Sequence, residues 1–537
     1  MKQTIKIFSI LILFAVKLYS QQFQWISQIN GGNNQLPTGN RIVTNPNGQS
    51  HVVGTYYNQT VIGTVTLSGN ATQSTYFAKY NTLGNVLWAK KIVSTVMVWG
   101  NAISIDKQNN VYITGIFNND AAFETTTLTS IGTSPKQDFF VAKYDSNGVF
   151  VWARNFSGTG SCNAFAIKND TLFNSYIVGY SAATRTIGVT SFSAANMYMV
   201  LFKLDPNGNS VWAQKSDGNT PQVNTYDLDL DRNINIYLIG HFGNVGGGGG
   251  TLVLGTTTLT GSSQTPDIFI AKFNSAGNSL FAKRILGNFQ GDRGFGIRYD
   301  KKNHFYICGG FEGSAIFDTD TVFTIPPIAG KYNCFLAKYD LTGTCKWAQR
   351  PDSVFTTQCF DVHVADPNSI YMGGDATGMT LFKYDSLGNQ QWYYRIKKLG
   401  GAYGFGISSD KNGSLYLKSS FQGILSTNLG TLTTTSGTIT HNFVGKIDTA
   451  LVTNIVVKES TRGILTIFPN PTTDKLSMLT DINLNPLDIE VWNTLGQLVI
   501  RQSYNEKIDV SSLSSGTYIL RINSKTGNIY RAKFIKN

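Results

Sequence analysis

Asp227-Leu228-Asp229-Leu230-Asp231 carries three carboxylates at alternate positions, an oxygen-rich run of the kind that can ligate calcium. The glycine at the sixth position and the distal glutamate of a helix-flanked calcium loop are missing. Asp231 also falls where Asp106 falls in a repeat described below, so it reads as a turn residue, with Leu228 and Leu230 as the buried face of a strand. Gly291-Asp292-Arg293-Gly294-Phe295-Gly296 and Gly401-Ala402-Tyr403-Gly404-Phe405-Gly406 have the glycine content of a nucleotide loop. No helical periodicity follows either, and the two recur at one place in the repeat. Gly246 to Gly250 lacks the Lys-Ser/Thr of a phosphate loop. The histidines His51, His241, His304, His363 and His441 form no HxH or HExxH spacing. Of the five cysteines, Cys334 and Cys345 lie on two arms of one expected hairpin, at unequal offsets from its turn at Leu341-Thr342, so they should not face each other. Cys162, Cys308 and Cys359 complete the set, and no CxxC supports a zinc or redox site. No catalytic, cofactor-binding or metal residue is assigned, no cofactor is expected, and the chain is expected not to be an enzyme.

The elements that would position any such chemistry repeat. A hairpin recurs as Lys-aromatic-Asp/Asn-x-x-Gly-Asn-x-x-Trp-Ala, starting at Lys79, Lys143, Lys203, Lys272, Lys338 and Lys383, with Phe281 replacing Trp in the fourth copy. Asp or Asn can bond its own backbone at the start of a type I turn, and Gly takes the positive φ that returns the chain. The flanking strands are apolar on both faces, as in Phe139-Phe140-Val141-Ala142, which means packing on both faces. A second element, Tyr-apolar-x-Gly, recurs at Tyr112, Tyr176, Tyr237 and Tyr306, more loosely at Tyr371 and Tyr416, and first as His51-Val52-Val53-Gly54. Seven units of about four strands are expected, each the blade of a propeller.

The ends complete the count. Phe23-Gln24-Trp25 supplies a Trp strand without a preceding Lys strand, and Val444-Gly445-Lys446-Ile447-Asp448 the reverse. One blade shared by both termini would remove the free sheet edges. The lysine starts are 64, 60, 69, 66, 45 and 63 residues apart. The shortest interval is near a bare blade of about 40–45 residues. The longer ones therefore carry insertions between the Tyr and Lys strands, at about 56–76, 118–138, 181–197, 242–266, 311–333 and 421–441. Because one unit omits its insertion, these segments are expected to be dispensable to the fold and to form a rim that meets ligands. The pattern resembles the β-propeller repeats of bacterial extracellular proteins, which implies a fold and no particular activity.

After a polar linker at 451–463 the pattern changes. Pro469-Asn470-Pro471, the turn Asn493-Thr494-Leu495-Gly496, Asp509-Val510-Ser511-Ser512-Leu513-Ser514-Ser515-Gly516-Thr517-Tyr518 and the final Lys533-Phe534 strand follow in order. They resemble the type A sorting domain of type IX secretion cargo, with Asn493 where that family often has Asp. The resemblance covers 464–537. It implies a small immunoglobulin-like β-sandwich, passage across the outer membrane by the type IX machinery, and removal of the domain on attachment or release.

Lys2 and Lys6 precede the apolar run Ile7 to Val16, too short for a stable span, with small Ser20 before Gln21; 1–20 reads as a signal peptide. No later segment is apolar enough to cross a membrane. The net charge of +12 does not mark nucleic acid. Residues 1–20 account for +3, residues 461–537 for +3, and much of the remainder is lysine spread over the repeats. The fold expected is all-β: a seven-bladed β-propeller over 21–450, then the sorting domain. The function expected is a secreted or outer-membrane-surface binding or adhesion module, with a glycan or protein ligand on the rim. The alternative is an extracellular glycan-active enzyme, which needs converging carboxylates that break the repeat symmetry.

Overall fold

The computed structural model describes residues 22–32, 41–131, 137–243, 249–262, 265–287, 292–318, 320–323, 332–351, 356–376, 379–399, 405–434, 440–448, 465–468, 472–480, 486–493, 497–503, 507–524 and 529–537. The expected signal peptide, the linker and Pro469-Asn470-Pro471 lie outside them. The described residues form strands and turns only, and the chain divides into units 1–455 and 456–537.

In the first unit the strands pair as antiparallel meanders of four. The second is Met97–Ile105, Val111–Asn118, Gln137–Tyr144 and Phe150–Phe156. The third is Cys162–Asn169, Ser175–Ile187, Thr190–Leu204 and Ser210–Lys215. Counted the same way, the described residues contain seven such blades, with inner strands Ile42–Thr44, Met97–Ile105, Cys162–Asn169, Val223–Leu230, Arg293–Tyr299, Thr356–Asp366 and Phe405–Ser409. Each inner strand packs on the next, and the last packs on the first, so the inner strands close a ring. The last blade takes its outer strand from the other end of the chain: Gln22–Gly32 pairs with Thr440–Asp448, Trp25 opposite Lys446 and Ser27 opposite Val444. The arrangement is a β-propeller. Its core lies between blades: one buried cluster joins Phe139 and Val141 of the second blade to Ile177 and Phe202 of the third.

The repeated residues are those that join blade to blade. Asp145 Oδ1 accepts from the backbone N–H of Asn147 and Val149, both at 2.8 Å, and Gly148 takes φ +80°. A Cβ on Gly148 would lie 3.0 Å from the Trp88 ring of the preceding blade, so this glycine is required twice, by the turn and by the neighbour. The framework Lys79 reaches the same turn from the preceding blade, donating to Ser146 O at 3.0 Å. Lys272 and Lys338 do likewise onto Leu341 O and Ser386 O. Within a blade the three signature residues lie side by side on adjacent strands: Tyr112 pairs with Lys143, which pairs with Trp152. The Lys143 ammonium sits over the Tyr112 ring, and Tyr112 donates to Asp106 at 3.2 Å.

The insertions correct an expectation. They are β-hairpins that pair with the outer strand of the preceding blade. Ile62 and Val61 of the first blade lie opposite Ile29 and Asn30 of the seventh. Val253 and Leu252 of the fourth face Asp217 and Gly218. Ile316 and Ala315 of the fifth face Leu286 and Gly287. Ser426 to Ile424 of the seventh face Lys397 to Leu399. Bridges Val93 to Ala122 and Gly158 to Arg185 serve the second and third blades. Each hairpin buries apolar side chains, among them Leu67, Phe123, Leu254, Phe317 and Leu425. They are clasps between blades, and the sixth blade alone among the described residues has none. Dispensability does not follow from one omission.

In the second unit Leu465–Phe468, Lys475–Thr480 and Lys507–Asp509 form one sheet. Pro486–Asn493, Leu498–Ser503, Gly516–Ser524 and Ile529–Lys536 form another. Leu476 and Ile508 of the first sheet share a buried cluster with Ile489, Val491, Leu520, Ile522 and Phe534 of the second. The Asn493 side chain accepts from the backbone N–H of Gln497 at 3.0 Å, the turn bond that an aspartate would make. Tyr518 donates to Ser514 O at 2.8 Å, tying its strand back to the serine-rich turn before it.

Candidate functional site

Along each inner strand, alternate residues face the preceding and the following blade. Ile42, Ile103, Ile167, Leu228, Ile297, Val362 and Ile407 share a register position and are buried or nearly so. The residues before and after them lie on the other face, Ala102, Ala166 and Val43 packing at the next junction and the charged ones meeting around the axis, and there the repeat breaks down. Before them stand Arg41, Ala102, Ala166, Asp227, Gly296, Asp361 and Gly406; after them stand Val43, Ser104, Lys168, Asp229, Arg298, His363 and Ser408.

Arg41 of the first blade donates to Asp227 of the fourth at 2.8 Å and to Tyr226 O at 2.7 Å, a reach that crosses the axis. Arg298 of the fifth blade bridges Asp227 and, at 2.9 Å, Asp361 of the sixth. Lys168 pairs with Asp229 at 3.4 Å. Backbone N–H groups fill the remaining positions: Leu228 and Ile297 donate to Asp227, and Ile407 to Asp361 at 3.0 Å. Three carboxylates thus meet three cations. Burial opposes charge on Asp227, but Arg298, Arg41 and Lys168 outweigh it and hold its carboxyl below the usual range. At Asp361 burial wins and raises the carboxyl, against the pull of Arg298 and Arg41. Burial, with Arg298 and Lys168 beside it, pushes His363 down to about 3, so the ring is neutral at pH 7. Its Nε2 lies 2.8 Å from Ser409 Oγ.

An aromatic collar adjoins this charged cluster. Five consecutive inner strands carry a β-bulge just before the axial position, between Gly100 and Ala102, Ala164 and Ala166, Thr225 and Asp227, Gly294 and Gly296, and Cys359 and Asp361. The extra residues are Asn101, Phe165, Tyr226, Phe295 and Phe360. The four aromatics form a chain of rings with centroids 5.0, 5.1 and 5.2 Å apart. Exposure rises with distance from the collar: the Asp227 side chain is fully buried, Asp229 is 17 % exposed and Lys168 30 %.

Asp231 is the turn residue expected, accepting from Asn233 N, Asn235 N and Tyr237 OH. Asp227 is instead an axial group; Leu228 is buried, while Leu230 is only partly so. Of the two glycine-rich runs, Arg293 to Gly296 and Phe405-Gly406 belong to inner strands, while Gly291 and 401–404 lie outside the described residues. The five histidines are scattered: His51, His241, His304, His363 and His441 lie in the first, fourth, fifth, sixth and seventh blades. Cys334 does not pair with Cys345 but with Cys359, across two blades. Sequence reading missed the axial network. Its signal was the register position preceding the repeated Ile or Leu, where the residue type varies while its neighbours hold.

Residues 466–537 match the family described as "Secretion system C-terminal sorting domain". The tail is a sorting domain. It sends the chain through type IX secretion to the cell surface or the extracellular space, as its motifs imply. No helix among the described residues is long and apolar enough to cross a membrane. Over 499 residues the chain is 23 % identical to an uncharacterized WD repeat-containing protein, L264, of Acanthamoeba polyphaga mimivirus, covering 74 % of this chain and 36 % of that one. The chain therefore spans about a third of that relative's length. Among solved structures, the Neurospora crassa Pan2 WD40 domain aligns with TM-score 0.38 and 11 % identity, over 75 % of this chain and 88 % of that chain. BamB from Moraxella catarrhalis aligns with TM-score 0.35 and 11 % identity, over 80 % and 100 %.

Proposed function

We propose that this chain is an exported propeller that binds or adheres rather than catalyses, delivered by its sorting domain. The observation that supports this reading is the saturation of the axial carboxylates. A glycosidase needs one carboxyl free to hand over a proton and another free to attack or to activate water. Here Asp227 and Asp361 share Arg298 and take backbone N–H bonds besides, so their oxygens are already engaged. The ring of ion pairs reads as a hub holding the blades. Ligand contact falls to the outside, where the hairpins present Thr and Ser faces, such as Thr127 and Thr129 or Thr258 and Thr260.

One observation favours the glycan-active alternative: two converging carboxyls whose affinities for protons are pushed in opposite directions, the arrangement of an acid and base pair. A single experiment separates the two readings. The exported protein is assayed on glycan and protein arrays while turnover of the same glycans is followed. Binding without turnover, unchanged in Asp361→Asn protein that remains folded, supports the binding module. Saturable hydrolysis that disappears in Asp361→Asn overturns it.

A further inference from the structure

Among the described residues, six of the seven junctions between blades are spanned by an insertion hairpin pairing with the preceding outer strand. The junction of the fifth and sixth blades is the exception, because Ser369–Ala376 leads to Met379–Tyr384 with no hairpin between. A covalent link stands there instead. The disulfide Cys334–Cys359 joins the third strand of the fifth blade to the inner strand of the sixth. Gly374, the framework glycine of the sixth blade's Tyr-apolar-x-Gly element, lies against it: a Cβ there would stand 2.7 Å from the Cys359 sulfur and 3.2 Å from that of Cys334. The outer strand of the fifth blade ends at Gln349 and runs into Pro351, four residues after Trp347. In the clasped blades pairing begins four to six residues after the aromatic, at Ile29, Val93, Gly158, Asp217, Leu286 and Lys397, so Pro351 adjoins the segment that would pair.

The other junctions show what the two cysteines replace. The residues in register with Cys334 and Cys359 are Ile268 and Gly294 at the junction of the fourth and fifth blades, and Phe139 and Ala164 at that of the second and third. A Cβ on Gly294 would meet the Ile268 side chain at 2.9 Å. A large apolar residue fitted against a small one is thus exchanged for a covalent bond, at the junction that lacks a clasp.

We propose that the Cys334–Cys359 disulfide stands in for the missing hairpin, and that its oxidation after export is the step that locks this junction. Two S–H bonds break and one S–S bond forms. The two electrons and two protons pass to a disulfide-bearing oxidant, which is reduced to a pair of thiols. The cytosol keeps thiols reduced, so the unlocked form is the one made and the locked form belongs to the exported side. Both cysteines are fully buried in the finished junction, so oxidation must precede or accompany its packing. Once the junction has packed, the neighbouring Cys308, whose Sγ points to Cys359 O at 3.7 Å, does not attack the finished bond. Burial and the Asp361 carboxylate raise its thiol well above the ordinary range, and only a thiolate attacks a disulfide.

The test compares the full exported chain with a Cys334→Ile/Cys359→Gly double variant, which copies the packing pair of the neighbouring junction without the bond. Amide hydrogen exchange is followed strand by strand. The expected result is exchange faster by on the order of tenfold or more in Tyr332–Asp340 and Thr356–Asp366, with the clasped junctions unchanged. Unchanged exchange, or loosening spread evenly over all blades, overturns the proposal. So does recovery of the exported wild-type protein with Cys334 and Cys359 alkylated without prior reduction. If the double variant does not fold, wild-type chain refolded with and without oxidant replaces it. Loosening confined to this junction then supports the proposal, and full protection without oxidant overturns it.

Discussion

Lys418 shows how far a single residue can depart from the repeat around it. It occupies the third place of the seventh Tyr-apolar-x-Gly element, where the second blade has Thr114 and the third Val178. Its side chain is fully buried at the junction with the first blade, donating to Val53 O at 2.6 Å near the face of Tyr76. Burial pushes its ammonium from 10.5 down to about 7. Between those two values the unfolded chain holds a proton that the folded chain has released, so stability rises with pH through this window and is flat below it. Thermal melts from pH 7 to 9.5 should therefore show a rising Tm, with a slope of up to about 1.4 kcal/mol per pH unit from this residue. Lys418→Met should raise Tm at pH 7 and remove most of the slope. An unchanged slope would place the titrating group elsewhere.

At the scale of elements, the hairpins carry the clearest expectation. Arg185 in the third blade's hairpin is fully buried and donates to Asp138 of the second blade at 2.9 Å, to Phe156 O at 3.0 Å and to Ser181 Oγ at 3.1 Å. Arg185→Ala leaves Asp138 charged and unpaired in the interior, which should cost about 3–5 kcal/mol, read as a lower denaturant midpoint. Replacing Asp120–Thr129 by a tight turn should likewise lower Tm, because Ala121 and Phe123 lose their burial. A trimmed protein that melts like the parent would return these segments to the class of free loops. The repeat arithmetic located the insertions correctly between the Tyr and Lys strands. Their partner, a strand of the previous blade, involves no local pattern and could not be read from it.

At the scale of the whole molecule, the seventh blade joins residues more than 400 positions apart, as Gln22 lies opposite Asp448. Deleting 22–32 removes an outer strand and the clasp pairing of Ile29 and Asn30 together. The variant should lose protection first in the first and seventh blades, which hydrogen exchange can resolve, and should show a lower Tm. The tail acts separately. A chain lacking 466–537 should fold its propeller but fail to reach the surface, measured by protease accessibility on intact cells.

By itself the sequence determined what depends on neighbours along the chain. The Asp-x-x-Gly turns, the alternation of the strands and the Asn493 turn are satisfied within a few residues, so their physics is visible as spacing. The Lys, Tyr and Trp signatures were legible as a repeat before their purpose was, because each blade meets its neighbour through the same residues. Only the tertiary structure decided what happens on the axis and across the junctions. Arg41 and Asp227 are 186 positions apart, and Cys334 finds Cys359 rather than Cys345, the nearer cysteine on its own hairpin. Such pairs occur once, so repetition cannot reveal them. They exist because closing seven inner strands into a ring brings unlike residues into a buried space where each charge must find its opposite.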